Sequence, residues 1–293
     1  LQLDDWIFNN SNSFGKTTLE LLAKALKRQV ERTEKKISYQ PLAPAPTPHM
    51  VPNSEDFTFL DLSPLELARQ MTLRDEQIYK LIRPRECMNQ TWNKPALAQE
   101  RSPNILKMIH RFNSISNMVQ KLLVSELKDK TRKTILKLII KTAQELRDLR
   151  NFHSLLATIA GLESSPVGRL KKTWEALDSP YLKQYQELKE LMSAEKNFKA
   201  FRDVLRNEDP PTIPYVGVYL ADLTFIEDGN PDKVASASGE HELINFAKMR
   251  MLAKVIDEIR FFQQVPYNLE PVPIIHQFLD AQTERLYTEK ELY

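Results

Sequence analysis

The chain has 293 residues, 42% hydrophobic and 27% charged, with a net charge of +2. This composition suits a soluble globular protein and excludes the broad basic field that holds nucleic acid through its phosphates. No run of about 18 apolar residues occurs, so no membrane-spanning helix is expected. The lone cysteine, Cys87, excludes an internal disulfide and a thiolate cluster and fits a reducing compartment.

Glycine is scarce, six in all, against an average of about 7%. Sheet-rich folds spend glycines on hairpins and bulges, so the scarcity favours an all-α fold. The opening Leu1-Gln2-Leu3-Asp4-Asp5 is acidic and lacks the pattern of a secretory signal, which points to a cytoplasmic location.

In chain order, residues 1–38 read as helical, with Leu19, Leu22, Ala23, Leu26 and Val30 on one stripe. Five prolines in 41–52, PLAPAPTPHMVP, mark an extended, semi-rigid linker. Residues 1–38 are too short for a core of their own. The second domain starts at Asp56, and Ser63-Pro64-Leu65-Glu66 is a capping box that opens a helix. Thr72 is expected to cap another helix, ending before Pro84. Ser102-Pro103 opens a segment through Ile105, Met108, Ile109 and Phe112. Ile135, Leu138, Ile139, Thr142, Leu146 and Leu149 mark a strong amphipathic helix, and Phe152, Leu155, Leu156 and Ile159 a further one. Ser165-Pro166 is expected to start the helix bearing Trp174, and 181–206 to be helical with Leu188, Leu191, Phe198, Phe201 and Leu205 inward.

Pro210, Pro211 and Pro214 then resist any helix before an apolar run. That run ends in an acidic tip, Glu227-Asp228, closed by Gly229. A second helical pattern begins near Glu242, with Phe246, Met249, Leu252, Ile256 and Ile259 on one stripe. The two read as a helical hairpin; by pattern alone it is an ordinary αα-hairpin.

Chemistry-bearing motifs are absent. Phe14-Gly15-Lys16-Thr17 resembles the end of a phosphate loop, but Asn10 stands where the loop needs glycine. None of the five histidines has a second histidine or a cysteine at ligand spacing, so no metal and no cofactor is expected. No G-x-S-x-G elbow occurs, and Cys87 has no evident base. The shape suits a protein that acts on another protein.

Five blocks, in order, resemble the catalytic domain of the Ras-family guanine-nucleotide exchange factors. They are FLDLSPLELARQMTL (59–73) with RPRECMNQTW (83–92), SPNILKMIHRFN (102–113), LRNFHSLLATIAGLESSPVGRLKKTW (149–174), NEDPPTIPYVGVYLADLTFIEDGNPD (207–232) and ELINFAKMRMLAKVIDEIRFFQQVPYNL (242–269). The wording is nearest to the Ras guanine-nucleotide releasing factors, with Son-of-sevenless a step further away. Residues 1–40 are similar to trailing helices of the Ras-exchanger motif, 41–55 form the linker and 56–293 the catalytic domain.

The resemblance implies a helical bowl with a protruding hairpin that props open the first switch of a Ras-branch GTPase, Ras first and Rap next. It implies no bond chemistry. The carboxylate that competes with the phosphates matches Asp228, with Glu227 beside it. The apolar wedge matches Thr224, a departure from the family's leucine or valine that shifts work towards Leu223 or Phe225. Asn151, with Phe152 beside it, matches an asparagine that meets the second switch, and Tyr215 an aromatic lining the same surface. Read without the family, Asn151 is a helix-start residue and Tyr215 core packing. The resemblance implies no membrane insertion by this segment; recruitment to a membrane would come through the GTPase or through other regions. The alternative to an active exchanger is an adaptor that kept the fold and lost the activity, for which Thr224 is the one feature in favour.

Overall fold

The computed structural model describes residues 45–48, 57–236, 241–283 and 291. The expected helices of 1–38 and the phosphate-loop look-alike at 14–17 lie outside these residues. Among the described residues the fold is all-α: twelve helices and one two-stranded antiparallel sheet.

The first helix, α1 (Pro64–Tyr79), starts as the sequence dictates. The Ser63 side chain accepts a hydrogen bond from Glu66 N, and Pro64 occupies the first turn, where its missing N–H is harmless. Thr72 does not cap a second helix: it is fully buried inside α1, and its hydroxyl donates to Ala68 O at 2.7 Å. A threonine that satisfies itself on the preceding turn needs no helix end. Buried Gln70 pins a distant loop, with Nε2 donating to Glu270 O and Oε1 accepting from Val272 N, both at 2.9 Å.

Helices α2 (Pro95–Arg101), α3 (Pro103–Val124), α4 (Asp129–Asp148) and α5 (Phe152–Leu162) follow. Ser102 stands at the N-cap of α3, but the group that satisfies the helix is Glu86. Its carboxylate accepts from Asn104 N at 2.8 Å and Ile105 N at 3.3 Å, an anion on the positive end of a helix. Helix α5 lies against α3, and Gly161 sets that approach. A Cβ there would stand 2.7 Å from Ser116 O and from Val119 Cβ.

The helix expected from Ser165-Pro166 through Trp174 is two short ones, α6 (Ser165–Gly168) and α7 (Lys171–Glu175). The chain turns at Arg169-Leu170, and the Trp174 indole donates to Val167 O at 3.1 Å. Likewise 181–206 divides into α8 (Ser179–Leu191) and α9 (Glu195–Leu205).

The hairpin is α10 (Val216–Gly229) and α11 (Phe246–Phe262), which pack on each other. Between them run β1 (Lys233–Ala235) and β2 (Glu242–Ile244), in register Val234↔Leu243. Glu242 is thus a strand residue and not a helix start; Asn245 caps α11, accepting from Lys248 N at 3.2 Å. Helix α12 (Pro273–Thr283) packs on α1 and α3.

Candidate functional site

The base of the hairpin is built from its own prolines. Between Pro211 and Pro214, Ile213 bridges the start of α5: Ile213 N donates to Arg150 O at 3.0 Å and Phe152 N to Ile213 O at 2.9 Å. Arg150 adopts φ 58°, the left-handed turn that separates α4 from α5. On the other side Arg202 grips Asp222 through two bonds, at 2.7 and 2.9 Å. A planar fork on a carboxylate fixes orientation as well as distance. Tyr219 OH donates to Glu258 at 3.3 Å, and Tyr79 OH donates to Ile259 O at 3.0 Å, which ties α11 to α1. Burial raises the Glu258 pKa, opposed by the Tyr219 bond.

Asn151 lies inside this base. It is fully buried. Its Oδ1 caps α5 by accepting from Ser154 N at 3.1 Å. Its Nδ2 donates to Asp75 Oδ2 at 2.8 Å and to Thr72 Oγ1 at 3.2 Å. Asp75 also accepts from Ser154 Oγ and, at 2.9 Å, from Arg111 Nε. Burying a carboxylate is costly unless it is hydrogen-bonded and paired, and these bonds supply the partners. Phe152 and Leu223 are buried as well, and Phe152 packs on Phe201 with ring centroids 5.1 Å apart. All three side chains face inward.

Tyr215 is half-buried, its ring 5.4 Å from that of Phe112 and 5.6 Å from that of Phe198. Burial raises its pKa. Gly217 makes room for it: a Cβ there would stand 2.2 Å from the Tyr215 ring.

Towards the far end of α10, Thr224 is half-buried and Phe225 is 70% exposed. Six of the eleven exposed large apolar side chains among the described residues belong to the hairpin: Phe225, Val234, Leu243, Ile244, Phe246 and Met251. Exposed apolar side chains are thus concentrated in the hairpin.

The two acidic residues at the end of α10 separate into different roles. Glu227 is largely buried and pairs with Lys248 Nζ at 2.6 Å. It also accepts from Asn89 N at 2.9 Å. Lys248 bonds Asp232 at 2.6 Å. Burial alone would lower the Lys248 pKa, but the carboxylates of Asp232 and Glu227 outweigh it and hold it above its ordinary value. Asp228 is exposed and accepts from the Gln90 side-chain amide at 2.6 Å. Asn89 and Gln90 both take left-handed φ, 58° and 50°, a conformation that costs a non-glycine residue about 1–2 kcal/mol. Asn89 and Gln90 were not foreseen; an Asn beside a second amide side chain is the only hint of that turn. Lys248 was not singled out either, although a lysine two residues into an apolar stripe invites the question of its partner.

Among the described residues no group of three or more His, Cys, Asp or Glu could hold a metal. Cys87 is buried, and burial, reinforced by Glu86, pushes its thiol up to about 12, so it is no nucleophile. No helix among the described residues is long and apolar enough to cross a membrane.

The model of the RasGEF domain matches residues 66–250. Three relatives from Dictyostelium discoideum are similar over most of the chain. Ras guanine nucleotide exchange factor K is 46% identical over 219 residues, 75% of this chain and 14% of that protein. Factor A is 41% identical over 264 residues, 87% of this chain and 43% of that protein. Factor P is 38% identical over 278 residues, 94% of this chain and 18% of that protein. The chain therefore spans less than half the length of each of these relatives.

Proposed function

The chain belongs to the RasGEF domain family, and from that membership we propose that it is a guanine-nucleotide exchange factor for a Ras-type small GTPase, Ras first and Rap next. The hairpin enters at the GTPase's first switch. Asp228 opposes the nucleotide phosphates and Phe225 supplies apolar bulk, with Thr224 contributing one methyl group. Tyr215 lies at the surface for the second switch, and Asn151, Phe152 and Leu223 hold that surface from behind.

The observation that carries this reading is the hairpin itself. Its base is fixed by the Arg202–Asp222 fork, while its far end presents Phe225 and an exposed carboxylate. A rigid base lets contact free energy act on the partner and not on the hairpin. Mg²⁺ and nucleotide are held by phosphate charge, so a carboxylate brought close opposes them. Tight binding of the nucleotide-free GTPase weakens nucleotide by the same factor, by linkage. No bond is made or broken.

Residues 1–40 are read as trailing helices of the exchanger motif, 41–55 as the linker and 56–293 as the catalytic domain.

A second reading, an adaptor that binds a GTPase without emptying it, is favoured by one observation: both carboxylates at the end of α10 already have partners in their own chain. Binding and release measured on the same samples separate the two. An exchanger binds nucleotide-free Ras and accelerates release of a fluorescent GDP analogue; an adaptor binds and leaves the release rate at its intrinsic value.

A further inference from the structure

Helices α1, α3 and α12 line an open cavity of about 310 Å³ that no described residue of the hairpin lines. Arg74 comes from α1, Lys107, His110 and Arg111 from α3, and Asp280 from α12. Arg111 is only 7% exposed, and its Nη2 is buried without an acceptor. A buried guanidinium N–H with no partner is rare, and one beside a cavity points to a group that occupies it.

The charge around it agrees. Arg74 pairs with Asp280, and Asp75 stands behind Arg111 on its Nε. Lys107 is exposed, with no carboxylate partner among the described residues. Ser114 Oγ and His110 Nδ1 are 3.3 Å apart, within hydrogen-bond reach. Nearby, His276 has its pKa lowered by burial and by Arg74, against Asp280, and again by Arg111. His276 Nε2 is a second buried nitrogen without a partner.

We propose that this cavity binds a phosphate monoester group, carried either by a soluble molecule or by a lipid head group. Arg74, Lys107, His110 and Arg111 line it from two helices and carry donors that a phosphate can use. A phosphate has enough oxygens to accept from all of them, whereas a carboxylate has two. The Arg74 fork has donors to spare beyond Asp280.

The test uses the full chain and inorganic phosphate, titrated by calorimetry at constant ionic strength, with Lys107→Glu and Arg74→Gln as separate variants. Arg111 is left in place because it holds Asp75. Saturable phosphate binding that weakens at least about tenfold in Lys107→Glu, with an unchanged phosphate-free melting curve, supports the site. Co-sedimentation with phosphatidylcholine vesicles, with and without phosphatidate, then assigns the source. Phosphatidate-dependent binding lost in Lys107→Glu means a lipid head group; phosphate binding without vesicle binding means a soluble one. If neither phosphate nor phosphatidate vesicles bind, or if both variants bind as the wild type does, the site does not exist.

Discussion

Replacing Glu227 by glutamine separates what the end of α10 does for the fold from what it does for a partner. The Glu227 side chain is 9% exposed, and its counterion, Lys248, is 3% exposed at 2.6 Å. Glutamine keeps the shape and can still accept from Asn89 N, but it loses a charge-assisted bond worth about 1.5–3 kcal/mol. Relief at the helix C-terminus, where negative charge opposes the dipole, returns about 0.3–1 kcal/mol. Lys248 keeps Asp232 at 2.6 Å, and Asp232 is 71% exposed, which limits the loss. The net expectation is about 1–2 kcal/mol of destabilisation, or a melting temperature lower by about 2–8 °C for a domain of this size. Asp228→Asn is the control. It is exposed, keeps an oxygen for Gln90 and sheds a charge from the same helix end, so its melting curve matches the wild type or lies slightly above it. Thermal melts of both variants, with urea titrations to check the slope, decide the matter. If Glu227→Gln melts with the wild type, the Lys248 pair contributes nothing and the division of roles between the two carboxylates fails.

Three further expectations follow from the same geometry. Asn151→Ala removes the α5 cap and a partner of buried Asp75; it should lower stability by about 2–4 kcal/mol, and a melting curve unchanged from wild type would put Asn151 back on the surface. His153 is buried, with Nε2 3.1 Å from Met108 O; burial lowers its pKa, opposed by Asp75 and the Met108 carbonyl, with Arg111 adding to the lowering. A histidine depressed in the folded state gives stability that is complete above its ordinary value near 6.5 and is lost as pH falls below it. The urea midpoint should therefore fall between pH 7.5 and 5.5, and less steeply in His153→Gln; equal slopes would refute the assignment. Thr224→Leu restores apolar bulk and should hold or raise the rate of nucleotide release, while Asp228→Asn slows it. The two probe bulk and charge and are measured singly before being combined; a slower Thr224→Leu would show that the hydroxyl matters.

Much of the fold was legible because helices announce themselves by period and by Ser-Pro boundaries. Ser63-Pro64 and Ser102-Pro103 mark the starts of α1 and α3, and the stripes of α4 and α5 are those of the sequence. The failures share a cause. Thr72 looks like a cap until Ala68 O is seen to accept its hydroxyl, and only tertiary burial decides between the two. The break at Arg169-Leu170 depends on the Trp174 indole reaching Val167, a contact the local pattern does not encode. At the site, residue identity was legible and exposure was not. Asn151, Phe152 and Leu223 carry the family's wording yet face inward. Glu227 and Asp228 are adjacent in sequence, but the helix turns one towards Lys248 and the other to solvent. Asn89 and Gln90 contact them from 138 residues away, a separation no spacing rule reaches.

The most direct test of exchange activity is the rate at which purified Ras, and in parallel Rap, loses a fluorescent GDP analogue to excess unlabelled nucleotide in the presence of this chain. The expected result is release from at least one of them that rises with the concentration of the chain and is slowed by Asp228→Asn without loss of fold. Release that stays at the intrinsic rate for every Ras-type GTPase at micromolar chain, while nucleotide-free GTPase still binds, would contradict the exchange reading and leave the adaptor in its place.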